Sequence, residues 1–471
     1  MMRSLFSGVA GLKTHQIKMD VIGNNIANVN TVGYKSSSVV FSDLMYQTTQ
    51  NASGANAQTG RGGVNARQIG LGVKSAAIET NIETEGASQN TGNPFDIQIA
   101  GNNFFIVSNG SQNYFTRAGA FKIDGNGTLV MSSNGYNVMG WQADEQGNII
   151  KDSVSALQPM KSENLTSPPE ATTRAYMTGI IDKNDTNLDP AGMGLVATIE
   201  FYDAEGYSYT AKFAFKQKAS GAGTPPTVTP ADKDQYTMEL IDVLDSNAKT
   251  IFKQADGSDM DAADRITAAA AAMAQQDVVY DPQKGTFQSV GGGTDTTFEL
   301  NIAALNTINP SFTESITVDM TLTQSVDNKG KSTIGGKSGT NGQADLGAGR
   351  SIGKLDSISV AQDGKITGTY TNGITKILGQ IAVASFSNPC GLKKEGDNLY
   401  SATRNSGEFD GIGVDVTEDG GGFSTGVLEM SNVDLSSEFT EMITTQRGFQ
   451  ANSRIITVSD TMIEELVNLK R

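Results

Sequence analysis

The chain has one cysteine, one histidine and one tryptophan in 471 residues. The lone Cys390 excludes an intrachain disulfide framework and a cysteine-based zinc site. The lone His15 excludes a histidine cluster and leaves no choice of base for a serine–histidine–acid set. No run of eighteen apolar residues occurs, so no segment reads as a transmembrane helix and no membrane insertion is expected. Residues 5–12 are too short and too glycine-broken for a signal-peptide core, and no small-residue cleavage site follows them. The carboxylates are scattered with no marked acid/base pair. Residues 330–338 lack phosphate-loop spacing, and Asp327 and Asn328 do not begin a calcium loop. No catalytic residue, cofactor or metal is therefore read from the sequence, and an enzyme is not expected.

Apolar residues are also scarce at 37%, while glycine is abundant at 53 residues. That balance favours β-rich domains with thin cores and many turns. The length suits about three domains. A net charge of −16 argues against non-specific binding to nucleic acid or anionic membranes. Proline is absent before Pro94 and after Pro389, so nothing interrupts helix formation at either end.

Both ends carry heptad patterns. Leu5, Leu12, Met19 and Ile26 lie seven residues apart, with Gly8, His15, Ile22 and Val29 as a second row. Leu435, Met442, Phe449, Ile456 and Ile463 repeat at the same interval, with a mostly polar second row of Glu438, Thr445, Asn452, Ser459 and Leu466. The spacing predicts long helices with apolar seams, each roughly 35–50 Å long. Ser4 is the expected cap of the first. Asp434 or Asn432 caps the second, and Lys470 and Arg471 suit its end. Helices this polar need packing. Two readings stay open: the ends order on assembly, or they pair with each other inside one protein.

Between them, residues 31–71 read as an extended polar arm, with residues 48–65 the most linker-like. A β pattern begins near residue 72. Phe104-Phe105-Ile106-Val107 is a continuous apolar run, and turn pairs recur at Asn109-Gly110, Asp124-Gly125, Asn126-Gly127 and Asn134-Gly135. Trp141 is a core residue and Cys390 a passive turn residue. A different β-rich region spans 160–351, as one outer domain or two. It contains a Pro-rich loop at 221–230 and an Ala-rich helical insertion at 261–276. The first β pattern returns over 352–431. The fold class is thus mixed and mainly β: nested β domains (72–159 with 352–431, then the insertion) with long terminal α-helices (1–30 and 432–471).

Asn25, Asn28, Asn30, Thr31, Gly33, Tyr34 and Lys35, in the run Asn24-Asn25-Ile26-Ala27-Asn28-Val29-Asn30-Thr31-Val32-Gly33-Tyr34-Lys35, resemble the N-terminal signature of bacterial flagellar rod and hook proteins. Tyr114-Phe115-Thr116-Arg117-Ala118-Gly119, Asn388-Pro389 with Gly391-Leu392, Asn398 with Tyr400, and Gln446-Arg447-Gly448-Phe449-Gln450-Ala451-Asn452 match later family segments in order. The match covers roughly residues 1–160 and 352–471, and the long insertion resembles the hook members rather than the shorter distal-rod members. The resemblance implies a homopolymer whose terminal helices form a coiled-coil core on assembly, in a bendable tube that transmits torque. It also implies an extracellular site reached through the flagellar export apparatus without a cleaved signal. The partners it implies are the distal rod, hook cap, hook–filament junction protein and hook-length ruler. A rod subunit is the alternative within the family; outside it, the alternative is a secreted β-rich binding protein of adhesin type.

Overall fold

A computed structural model describes every residue except 1, 55–59, 61, 145–146, 220–233, 255, 344–345, 419 and 470–471. The expected Pro-rich loop at 221–230 and the terminal Lys470 and Arg471 thus lie outside the described residues. The described residues form mostly β-strands, with three α-helices: α1 (Met2–Ala27), α2 (Ala262–Ala269) and α3 (Leu435–Asn468). The chain divides into two compact units, residues 1–164 with 357–369 and 375–471, and residues 165–356 with 370–374.

The first unit is built on strand Phe104–Ser108. It pairs antiparallel with Asn113–Thr116 on one side and Asn137–Gln142 on the other. Asn137–Gln142 pairs in turn with Thr375–Ile381, and Asn113–Thr116 pairs with Leu399–Ser401. Strands from before and after the insertion therefore share one sheet. Its centre is buried on both faces: Phe105 and Val107 enter one apolar cluster, while Phe104 and Ile106 enter another with Trp141. Successive strand side chains point to opposite faces, so a strand covered on both sides reads as an unbroken apolar run. Trp141 is buried and donates its indole N–H to the Ile412 carbonyl at 3.0 Å. Cys390 is exposed in the 3-10 turn Pro389–Gly391.

Three expectations change here. The two turn pairs at 124–127 are one turn: the Asp124 carboxylate accepts from the backbone N–H groups of Asn126 and Thr128, and Gly127 N–H donates to the Asp124 carbonyl. The polar arm is a β-ribbon, with Ser37–Asp43 paired to Val73–Thr80 and Tyr46–Gln50 to Arg67–Gly70. Ladder hydrogen bonds are satisfied between its own strands, so it needs little apolar sequence. Ser4 does not cap α1, which already includes Met2 and Arg3.

The second unit holds two sheets. One has five antiparallel strands, in the order Leu195–Tyr202, Ser208–Gln217, Gln235–Leu244, Gln276–Tyr280 and Phe287–Val290. The other has four, with Ile316–Ser325 and Arg174–Ile181 parallel at its centre. Residues from both sheets join one apolar core, among them Phe213, Phe215, Met238, Val318 and Met320. Helix α2 is shorter than the Ala-rich segment suggests. Ala269, Ala272 and Met273 are buried in that core, and Gln276 already pairs with Met238, so sheet pairing overrides alanine's helix preference.

Candidate assembly site

Helices α1 and α3 lie antiparallel against each other. From tip to base, Ser4 Oγ is 3.4 Å from Ser459 Oγ, Lys18 Nζ is 3.0 Å from a Glu441 carboxylate oxygen, and Asn25 Nδ2 donates to Glu438 at 2.8 Å. Asp434 caps α3 by accepting from Ser436 N–H, as its position before the heptads suggests. Asn432 is occupied elsewhere: it accepts from Ser36 N–H and donates to the carbonyls of Asn81 and Thr84.

Of the heptad residues, Ile22 is buried, and Leu5, Leu12, Met19, Ile26, Met442, Phe449, Ile456 and Ile463 are half-buried. Leu435 is exposed and is not drawn into the contact. The deeply buried positions on α3 are Thr445 and Ser459, both from the polar second row. The reason is size. Small side chains let the helix backbones approach, and a Cβ on Gly448 would lie 2.7 Å from the His15 ring.

His15 also stands edge-on to Phe41 at 5.8 Å between ring centres. Burial, then the neighbouring Lys18 charge, hold its pKa below the ordinary 6.5. The unfolded chain therefore binds this proton more readily than the folded one. Stability is undiminished above about pH 6.5 and falls as pH drops through the lowered folded value. Urea unfolding followed by helical circular dichroism should show a lower midpoint at pH 5 than at pH 7.5. The His15→Gln variant should lose most of that difference; an unchanged difference would place its origin in other groups.

Where α1 ends, the signature residues form a clamp. Asn25 is buried, donates to the Ser37 carbonyl and accepts from Ser37 N–H and the Tyr34 hydroxyl. Asn28 donates to Asn24 and accepts from the Thr31 hydroxyl, closing the turn; Asn30 is exposed on it. Gly33 has φ +68° and donates its N–H to the Glu429 carbonyl at 2.8 Å. The Tyr34 ring carries the Lys394 ammonium 5.1 Å from its centre, and burial followed by the Glu438 charge raises its hydroxyl pKa.

Lys35 is 1% exposed, yet it is charged-group chemistry in the interior. Its ammonium meets Glu429 at 2.8 Å and the Thr84 carbonyl at 2.7 Å. Arg117, also 1% exposed, donates from Nε to the other Glu429 oxygen at 3.1 Å and from Nη1 to the carbonyls of Gly101 and Asn103. Burial pushes the Lys35 pKa down, against the opposing pull of Glu429. One carboxylate thus holds two buried cations and joins three distant stretches of chain: the end of α1, the β sheet and the approach to α3.

Sequence reading does not assign a role to Arg117 or find Glu429. The usable signal is a lone charge within Val427-Leu428-Glu429-Met430, where the neighbours are apolar.

Three protein-family models match the chain. Residues 5–35 match the flagella basal body rod protein model, and residues 98–176 match the flagellar hook protein FlgE/F/G D1 domain. Residues 424–469 match the flagellar basal body rod FlgEFG protein C-terminal model. The flagellar hook protein FlgE of Treponema pallidum is 34% identical, with 100% of each chain covered. That of Borreliella burgdorferi is 35% identical, again over 100% of each. The flagellar basal-body rod protein FlgG of Bacillus subtilis is 28% identical over 100% of each.

Proposed function

The chain belongs to the flagellar hook protein family and is a structural subunit of the hook, and we propose that its paired terminal helices are the element through which it polymerises. The observation that carries this reading is the outer surface of the helix pair. Phe6 and Val9 on α1, and Phe439, Ile443, Ile455, Val458, Met462 and Leu466 on α3, are all exposed. Water-facing apolar side chains at this density mark an interaction surface. Neighbouring copies would cover them in a coiled-coil core. In this reading the assembled tube bends while transmitting torque. The subunit is extracellular, exported through the flagellar export apparatus without a cleaved signal, and its ends of the tube meet the distal rod, hook cap and hook–filament junction protein. It acts by assembly and catalyses no reaction. A rod subunit is the second reading, less supported by the lower identity of the rod relative.

Electron microscopy of concentrated protein tests the proposal. The full chain should form curved tubes. A chain ending at residue 434 should not, while keeping the fluorescence of buried Trp141 as evidence that its β unit is folded. Tubes from the shortened chain would sink the proposal. So would a full chain that stays monomeric with the amides of both helices protected from exchange, which would favour a secreted binding protein.

A further inference from the structure

Charge along the helix pair is banded although the chain as a whole carries −16. The base is acidic. Glu79, Glu83, Glu438 and Glu441 line a cavity of about 340 Å³ there, with Lys18 as the one cation among the residues lining it. Burial, with the nearby Glu441 and Asp434 charges adding to it, raises the Glu438 pKa even though Asn25 and Lys18 oppose the shift. The middle is basic: Lys13, Arg447 and Arg454 are exposed, and α3 has no acidic residue between Glu441 and Asp460. Arg447 and Arg454 are one heptad apart and so share a row of the helix. Among the described residues the tip is acidic again, with exposed Asp460, Glu464 and Glu465 on α3 against Arg3 on α1, before the sequence runs into Lys470 and Arg471. The bands accompany an unpartnered apolar stripe, Ile455, Val458, Met462, Leu466 and Leu469, spaced three or four residues apart on one side of α3.

We infer that a second, parallel copy of this chain docks on that stripe displaced along the helix axis, so that the acidic base of one copy faces the basic middle of the next. The spacing sets the displacement. The centre of Glu438 and Glu441 lies about eleven residues from the centre of Arg447 and Arg454, or about 17 Å at roughly 1.5 Å per residue. The same shift places the basic middle of the displaced copy beside Asp460, Glu464 and Glu465 of the first, so one translation satisfies both bands. Unshifted copies would set like charges side by side. The charges fix the register while the apolar stripe supplies most of the affinity. This inference rests on the polymerisation reading above and adds the register.

The test uses the full chain and two charge-reversed variants, Glu79→Lys/Glu83→Lys and Arg447→Glu/Arg454→Glu, with the critical concentration for polymer measured by sedimentation at low salt. These four side chains are exposed, and folding of each variant is checked by Trp141 emission. Each variant alone should need about tenfold more protein to polymerise than the wild type. An equimolar mixture of the two, and a single chain carrying all four changes, should need less protein than Arg447→Glu/Arg454→Glu alone, because both restore opposite charges where base meets middle, while the reversed middle still faces the acidic tip. Additive failure of the mixture and the fourfold variant would overturn the register, as would variants that polymerise like the wild type. A wild type that never polymerises would instead overturn the polymerisation reading on which the register rests.

Discussion

Replacing Glu429 by glutamine should cost about 3–5 kcal/mol, the range for removing one partner of a buried ion pair. The effect follows from the local charge count. Glu429 is the single carboxylate that meets both the Lys35 ammonium at 2.8 Å and the Arg117 guanidinium at 3.1 Å, with all three side chains at most 1% exposed. Glutamine keeps the volume but leaves two positive charges together in a dry interior, and its amide N–H₂ must face one of them. Lys35→Met should cost less by at least about 1 kcal/mol, since the Arg117–Glu429 pair survives, Glu429 Oε1 keeps the Gly86 N–H at 3.1 Å and the Thr84 carbonyl keeps the Asn432 amide at 3.1 Å. Urea unfolding at neutral pH reports both, with Trp141, the sole tryptophan, as the probe inside the same unit. Equal costs for the two variants, or a Glu429→Gln cost under about 1 kcal/mol, would mean that the triad does not hold the chain ends as described.

The clamp also explains what sequence patterns could and could not convey. Helices α1 and α3 are legible because an apolar residue every seventh position is a local signal. The sheet centre is legible because Phe104 to Val107 is buried on both faces and leaves no polar gap. The ribbon of Ser37–Asp43, Tyr46–Gln50, Arg67–Gly70 and Val73–Thr80 escapes because its strands face water on most sides, so neither alternation nor apolar content marks it. The close contact at Thr445, Gly448 and Ser459 escapes for a different reason: periodicity reports hydrophobicity, whereas helix approach depends on side-chain size. The Lys35–Glu429 pair joins residues 394 positions apart, a relation that no window along the chain contains. The sequence signature around residues 24–35 is recognisable as a motif, but its role as a buried charge clamp is visible only once Arg117 and Glu429 stand beside it.

Gly33→Ala should be a strongly destabilising change of a single methyl group. Two costs combine. At φ +68° a residue with a Cβ is strained by about 1–2 kcal/mol. The new Cβ would also stand 2.7 Å from the Ala118 backbone nitrogen and 2.9 Å from the Arg117 carbonyl carbon. Both are main-chain atoms just past strand Asn113–Thr116 and cannot rotate away. Relief requires moving the turn, which breaks the 2.8 Å hydrogen bond from Gly33 N–H to the Glu429 carbonyl and pulls Lys35 from its carboxylate. Gly92→Ala separates the two costs, because Gly92 has nearly the same φ, +71°, in the same unit, yet a Cβ there meets nothing within 4 Å. Gly92→Ala should therefore lose only the conformational part, and Gly33→Ala at least about 2 kcal/mol more, since steric displacement and the lost buried hydrogen bond add to it. Matching urea midpoints for the two variants would show that the turn can yield without disturbing Glu429, and that the signature glycine is needed only for its backbone angle.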